Sequence, residues 1–174
     1  MTDKIVTTLQ DRNGLAYAPN EATPFTGILE HKFPNGQKQA EGNFKDGQQN
    51  GLATFWFESG QKQAEINFKD GQQYGLRIRW FENGQKKAEI NLKDGKENGL
   101  SIFWFENGQK QAEVHYKDGQ RHGLETLFFE SGQKRVEANY KGGQQYESMT
   151  SWSENGQKNF EINKGDLSFT RILQ

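Results

Sequence analysis

The sequence predicts an all-β protein, an elongated single-sheet antiparallel β-meander built from 24-residue β-hairpin repeats. A motif Asn-Gly-Gln-Lys or Ser-Gly-Gln-Lys recurs six times at a spacing of 24, with glycines at Gly36, Gly60, Gly84, Gly108, Gly132 and Gly156. A second motif, Lys-Asp-Gly, alternates with it, so the turns leave about seven or eight residues between them, which suits a strand and is too short for an amphipathic helix. Only 32% of the residues are hydrophobic, a composition that suits a thin repeated sheet better than a globular core.

The N-terminal part differs from the repeat and is predicted to be a cap. Residues 1–8 are expected to be frayed. Residues 9–26 are expected to form a capping hairpin with its turn at Asn13-Gly14, because Asn-Gly tolerates the positive φ of a tight turn.

Residues 27–146 are predicted to form five regular repeats, each of two strands and two turns. A single unit buries too few large side chains to offset the conformational entropy of ordering about 24 residues, so the units should fold only when stacked. With strands about 4.8 Å apart, each unit should advance the sheet by about 10 Å.

Alternation along each strand predicts the faces of the sheet. The first strand of a unit carries Leu, Thr or Ile, and Trp on one side, and the second carries Ala, Ile or Val, and Phe on one side. We predict that these sets share one apolar face, which in the second unit holds Leu52, Thr54, Trp56, Ala64, Ile66 and Phe68. The structural aromatic column of this face is then Trp56, Trp80, Trp104, Phe128 and Trp152.

The C-terminal residues 147–174 are predicted to be a divergent capping repeat. Glu147-Ser148 replaces the usual Gly-Leu, and Lys164-Gly165-Asp166 arrives one residue early. Atypical terminal units are expected in repeat arrays because their outer edge faces solvent.

Composition excludes several classes of function. The chain has 22 Lys and Arg against 23 Asp and Glu, a net charge of −1. This charge provides no electrostatic footprint for nucleic acid and disfavours binding to a membrane. There is no cysteine and no apolar run of transmembrane or signal-peptide length. We therefore expect a cytoplasmic protein, or an exported one if a leader has been removed.

The pattern does not predict an enzyme, a metal site or a cofactor. Catalysis needs unlike residues that converge, whereas this sequence repeats the same residue every 24 positions. His31, His115 and His122 lack the spacing of a metal set. We expect no catalytic residues, no metal ligands and no cofactor.

Positions at which the repeats differ are the candidates for partner binding, because the scaffold does not dictate them. We place them on the polar face, where aromatic and guanidinium groups would form a patch typical of protein-binding hot spots. The candidate residues are Phe55, Arg77, Arg79, Phe103, Glu125 and Leu127. An equally weighted alternative is that Arg77 and Arg79 only pair across strands with Glu65 and Glu89.

The pattern Glu-x-x-Phe/Tyr-Lys-Asp-Gly-x-x-x-Gly-Leu, at residues 65–76 and 113–124, resembles the MORN repeat in its bacterial variant. Residues 11–17 followed by 24–27 are similar to the N-terminal segment of bacterial proteins grouped as YwqK-type antitoxin components. The resemblance extends from residue 9 to about 166. It implies an elongated β-sheet module for association with proteins or, in some eukaryotic cases, lipids, and it assigns no catalytic residue.

The leading hypothesis is a non-catalytic protein–protein interaction module, an antitoxin or immunity-like protein that binds and neutralises a partner through its sheet face. A membrane- or envelope-associated scaffold is one alternative, and a carbohydrate-binding aromatic strip is another. Self-association through the apolar face is also open. The sequence does not identify the partner.

Overall fold

The computed structural model describes residues 4–163, and this part of the chain consists of strands and turns without any helix. The predicted all-β meander is confirmed. The strands are β1 Ile5–Val6, β2 Gln10–Arg12, β3 Leu15–Tyr17, β4 Gly27–Lys32, β5 Lys38–Lys45, β6 Gln48–Trp56, β7 Lys62–Lys69, β8 Gln72–Trp80, β9 Lys86–Lys93, β10 Lys96–Trp104, β11 Lys110–Lys117, β12 Gln120–Phe128, β13 Lys134–Lys141, β14 Gln144–Trp152 and β15 Lys158–Ile162.

The main sheet has 13 strands whose order follows the chain from β4 to β15, all antiparallel, with β1 added beside β4. Twelve steps of about 4.8 Å correspond to about 58 Å along the sheet. Strands β2 and β3 form a separate two-stranded sheet. Within residues 4–163 there is no helix that could span a bilayer.

Within the stretch 1–8, which the sequence predicts to be frayed, residues 5 and 6 form strand β1. Strand β1 pairs in parallel with β4 through Ile5 and Val6, while residues 1–3 lie outside the described part. The predicted hairpin at Asn13-Gly14 is confirmed, with φ values of 57° and 81° at the two turn residues.

Two kinds of turn alternate along the two edges of the sheet. In the Lys-Asp-Gly turns, Lys69 pairs with Gln72 across a two-residue loop whose residues have φ values of 49° and 77°. Two successive positive φ values define the type I′ turn that matches strand twist. The Gly71 N–H donates to the Gln49 carbonyl of the preceding repeat at 2.9 Å. Equivalent bonds therefore tie successive turns of this edge together.

The predicted distribution of side chains between the two faces is wrong. Directly paired residues of antiparallel strands lie on the same face, and β6 pairs with β7 in a register that joins even-numbered to odd-numbered positions. The pairs are Leu52 with Asn67, Thr54 with Glu65, Ala53 with Ile66, and Phe55 with Ala64. The Trp side of one strand therefore shares its face with the polar side of the next.

We name the two faces by their commonest markers. The alanine face carries Ala64, Ile66 and their partners Phe55 and Ala53, with the equivalent residues of the other repeats. The tryptophan face carries Leu52, Thr54, Trp56, Glu65 and Asn67, with their equivalents. Neither face is purely apolar.

Each repeat has a β-bulge next to its Asn-Gly or Ser-Gly turn. Trp56 pairs with Lys62 directly after Phe55 pairs with Ala64, so Gln63 is an extra residue. Residues three apart on a regular strand point to opposite faces, but the bulge brings Lys62 and Glu65 to one face. The Nζ of Lys62 accordingly donates to the Glu65 carboxylate, and five other repeats hold the same pair.

A second irregularity follows each Lys-Asp-Gly turn and is stabilised by a side chain from the neighbouring strand. Asn43 donates its Nδ2 hydrogen to the Leu52 carbonyl at 2.8 Å. At the equivalent position His115 replaces asparagine, and its Nδ1 lies 2.9 Å from the Leu124 carbonyl. A carbonyl only accepts, so this histidine has the same bridging role as the asparagines.

In the main sheet the most deeply buried side chains lie on the alanine face, and Phe25 of the N-terminal segment is also buried. Ala88, Ile90 and Leu92 of β9 form a buried cluster against which Phe103 packs. On the tryptophan face Thr54 and Thr126 are buried, but leucines such as Leu52 remain exposed. At the C-terminal end β14 and β15 continue the sheet, whereas Lys164-Gly165-Asp166 lies outside the described residues.

Candidate binding surface

The six predicted partner-binding residues all lie on the alanine face, which is the more buried face rather than a polar one. Their strands alternate with alanine-bearing strands, so large side chains flank small ones. Four of the six form one row with alanines between them, in the order Phe55, Ala64, Arg79, Ala88, Phe103, Ala112 and Leu127. The other two, Arg77 and Glu125, lie in the next row toward the middle of the sheet.

Two depressions of nearly equal size lie along this row on the alanine face of the described residues. The first, of about 450 Å³, is lined by His31, Phe33, Gln39, Ala40, Phe55, Trp56, Phe57, Glu58 and Gln63. The second, of about 440 Å³, is lined by Arg79, Phe81, Lys87, Ala88, Ile90, Phe103, Trp104, Phe105, Glu106 and Gln111.

The second depression is a copy of the first displaced by two repeats. Each residue lining the first has an equivalent 48 positions later in the second, and Ile90 is added to its floor. Seven of the nine equivalent positions carry the same residue type. The two that differ make the second depression more basic, because Arg79 replaces His31 and Lys87 replaces Gln39. Four strand spacings, about 19 Å, separate the two.

Arg79 is one of two exposed cations of the second depression. Within residues 4–163 no carboxylate lies within ion-pair distance of its guanidinium, and its side chain makes no hydrogen bond. Lys87 comes from the bulge of β9, and its Nζ lies 5.2 Å from the centre of the Phe81 ring. The depression therefore combines aromatic walls with a guanidinium available to a ligand.

Arg77 is engaged within the protein instead. Its Nη1 donates to the Gln73 side-chain oxygen at 3.4 Å, and its Nη2 lies 3.9 Å from a Glu97 oxygen. The alternative that Arg77 and Arg79 pair with Glu65 and Glu89 is wrong, because those two glutamates are on the tryptophan face. A buried Arg77 Nε has no partner in the described part of the chain.

Glu125 is also satisfied internally and is 7% exposed. Arg121 donates from Nη1 to both of its carboxylate oxygens, at 3.2 and 3.1 Å. The same guanidinium lies 4.7 Å from the centre of the Tyr140 ring. Burial, followed by the neighbouring Glu125, raises the pKa of Tyr140 above its ordinary value. The Glu125 carboxylate is therefore neutralised within the protein, whereas the Arg121 side chain remains 45% exposed.

The aromatic column of Trp56, Trp80, Trp104, Phe128 and Trp152 lies on the tryptophan face beside the Lys–Glu pairs. These rings are half-buried, and the Nζ of Lys38 lies 5.9 Å from the centre of the Trp56 ring. The column is therefore bordered by charged side chains, although Trp56 and Trp104 also contribute to the lining of the two depressions.

Sequence reasoning did not select several residues of the depressions. Phe81 and Phe105 form walls of the second one, Lys87 adds charge, and Ala88 provides the floor. The signal was available in the repeat itself, since a phenylalanine stands before five of the six Asn-Gly or Ser-Gly turns. Whether these residues of different strands meet in one depression depends, however, on the register between the strands. Alternation along a single strand does not reveal that register.

No group of three or more His, Asp or Glu side chains within residues 4–163 is arranged to hold a metal ion. The described glutamates at the turns are exposed, and the buried Glu125 is neutralised by Arg121. The surface thus offers contacts for binding, not a set of converging acid and base groups.

Comparison with known proteins gives one kind of match. A family model described as a MORN repeat variant matches residues 25–46, 49–70, 73–94, 97–118 and 121–141, which together make up more than half of the chain. No curated protein matches. The matched segments correspond to the repeat: the first four end within a Lys-Asp-Gly turn, and the last four begin shortly after one.

Proposed function

Because the chain belongs to the MORN repeat variant family, we propose that it is a protein–protein interaction module whose alanine face holds a partner protein. The repeat fold is typically that of a non-catalytic binding module. Binding through a sheet face suits an array of identical units, since neighbouring repeats extend one continuous surface.

The observation that carries the proposal is the pair of aromatic depressions on the alanine face. Half-buried phenylalanines such as Phe55 and Phe103 stand beside small alanine floors, and Arg79 lies exposed at the rim of the second depression. Aromatic residues and arginine around a concave apolar surface are the groups enriched in binding hot spots.

The geometry divides the six candidate residues by role. Phe55, Arg79 and Phe103 line the depressions and are proposed to contact the partner. Leu127 continues the same row. Arg77 and Glu125, in the next row of the same face, are proposed to stabilise the surface and not to contact the partner, since both bond to neighbouring side chains.

The finer proposal is that the partner is a toxin that this chain neutralises, as an antitoxin or immunity protein does. The support is the similarity of residues 11–17 and 24–27 to the N-terminal segment of YwqK-type antitoxin components. A membrane or envelope scaffold is less well supported, because a net charge of −1 gives little attraction to anionic lipid.

A paired-variant experiment tests the use of this face. Partners captured from the native host by the immobilised protein are purified, and their affinity is compared for wild type, F55A/F103A and L76S/L124S. The control leucines are exposed on the tryptophan face. We expect F55A/F103A to weaken binding at least about tenfold, as for central aromatic contacts, while L76S/L124S binds within about twofold of wild type.

Thermal unfolding of each variant establishes that it is folded before affinity is compared. If L76S/L124S loses affinity for the partner and F55A/F103A keeps it, the partner binds the tryptophan face and the proposal is wrong. Equal affinities for all three proteins would exclude both faces.

A further inference from the structure

The two depressions share their shape and aromatic walls but differ in charge, and this difference has a consequence for ligand choice. In the second depression Arg79 and Lys87 stand against the single carboxylate of Glu106. In the first depression the corresponding residues are His31, Gln39 and Glu58. Counting histidine as neutral, the lining charge is positive in the second and negative in the first.

The floor of the second depression is buried and apolar. Ala88 and Ile90 are 3% and 4% exposed and belong to the buried cluster of β9. Phe103 packs against this cluster, and Phe81 and Phe105 complete the aromatic walls. A cavity of about 440 Å³ with these walls accommodates a large apolar side chain and its flanking backbone.

The two cations are placed to meet a carboxylate beside that apolar side chain. Arg79 has a guanidinium without an internal ion-pair partner in the described part of the chain, and a planar guanidinium binds carboxylate oxygens through two parallel hydrogen bonds. Lys87 is held over the Phe81 ring, which keeps its charge at the rim.

We infer that the second depression is a recognition site for an acidic–apolar peptide segment of a partner protein, in which an aromatic or leucine side chain is flanked by Asp or Glu. The apolar side chain occupies the floor over Ala88, and the carboxylate meets Arg79 and Lys87. The first depression has the equivalent aromatic residues but no cation pair, and it does not bind such a segment. This inference rests on the proposed use of the alanine face for protein binding.

The probe for the test is a fluorescein-labelled peptide, Gly-Asp-Leu-Phe-Asp-Gly, with Gly-Lys-Leu-Phe-Lys-Gly as the charge-reversed control. Fluorescence polarisation at low salt gives the affinity of each peptide for the full chain. We expect the acidic peptide to bind with a Kd near or below about 1 mM and the basic peptide at least about fivefold more weakly, as a few partly exposed charge contacts provide.

The repeats provide matched variants. R79H/K87Q gives the second depression the residues of the first, and H31R/Q39K does the reverse. R135Q/K117Q removes two exposed positive charges elsewhere on the array. We expect R79H/K87Q to weaken acidic-peptide binding at least about fivefold, R135Q/K117Q to change it less than about twofold, and H31R/Q39K to raise the stoichiometry from one to two.

Absence of acidic-peptide binding, equal binding of the two peptides, or equal effects of R79H/K87Q and R135Q/K117Q would each overturn the inference. The partner assay separates this failure from failure of the proposed function. If the captured partner depends on Phe55 and Phe103 but is insensitive to R79H/K87Q, the alanine face binds protein and only the acidic–apolar specificity is wrong. If the partner is insensitive to F55A/F103A as well, the proposed function fails.

Discussion

Glu125 illustrates how a residue that varies between repeats can serve the fold instead of a ligand. The equivalent positions hold alanine, arginine and serine at Ala53, Arg77 and Ser101, so the sheet accepts different side chains there. Glu125 is buried and depends on the Arg121 guanidinium for both of its oxygens. The carboxylate at this position is therefore compensated by an arginine of the same strand, β12.

Removal of Arg121 and removal of Glu125 are expected to reduce the stability of the protein by different amounts. The Glu125 side chain is 10% exposed and the Arg121 side chain 45% exposed, so Arg121→Met leaves a carboxylate in a buried setting, whereas Glu125→Ala leaves a cation that reaches water. We expect Arg121→Met to lower the free energy of unfolding by about 1 to 2 kcal/mol and Glu125→Ala by about 0.5 kcal/mol or less. Urea unfolding measures both.

The double variant R121M/E125A is the control for this pair. It should regain most of the stability lost in Arg121→Met, because removal of both charges leaves no buried group unpaired. Equal losses for the two single variants, or additive losses in the double variant, would contradict the buried-carboxylate explanation.

At the scale of the elements, the N-terminal strand depends on a glycine of its neighbour. Gly27 has a φ of 149°, and a Cβ at this position would lie 2.3 Å from the Lys4 carbonyl oxygen. That same oxygen accepts the Ile28 N–H at 2.8 Å. Close approach of two backbones is therefore what allows β1 to pair with β4.

Gly27→Ala is expected to release β1 from the sheet. Because the Lys4 oxygen must move away, the Ile28 amide should lose at least about tenfold of its protection against hydrogen exchange, while amides of the central strands keep theirs. Gly36→Ala is the matched control, since Gly36 also has positive φ but no atom would lie within 4 Å of its new Cβ. Release of β1 in both variants would contradict the steric explanation.

At the scale of the whole molecule, the protein is a one-dimensional stack in which the 24-residue unit is the step. The strand order follows the chain, and each Lys-Asp-Gly turn bonds to the preceding repeat, as Gly95 does through the Gln73 carbonyl at 3.0 Å. Stability of such an array is approximately a sum over units and their interfaces.

Deletion of residues 73–96 tests this modularity. The deletion joins Gln72 to Glu97, which is the equivalent of Gln73, so the repeat phase is preserved. We expect a folded protein whose sheet is about 10 Å shorter by small-angle scattering and whose urea m-value falls by about one seventh.

Deletion of residues 73–84 is the control for phase. It removes about half a unit, so the later turns move to the opposite edge and lose the bonds between successive turns. We expect this variant to unfold or aggregate. A well-folded product of the half-unit deletion, or a misfolded product of the full-unit deletion, would contradict the stack.

The candidate surface could be predicted from the sequence only in part, and its residues show why. The sequence singled out Phe55, Arg79 and Phe103 because repeats vary at their positions, and these three do line the depressions. The sequence pattern assigned these three residues to a polar face. Alternation shows which residues of one strand share a face, but it does not show which residues of the adjacent strand lie on that same face. That relation depends on whether even-numbered residues of one strand pair with even-numbered or with odd-numbered residues of the next. The turn and its bulge determine this register.

The sequence by itself determined the all-β class, the 24-residue unit and the two alternating turns, because turn chemistry and strand length are local properties written in each repeat. The tertiary structure alone decided which face carries Trp56 and which carries Ala64, that Arg77 reaches Glu97, and where Phe81 and Phe105 meet Ala88. These relations join residues of different strands. A shift of one residue in register would exchange every one of them, so they are fixed only when the hairpins close.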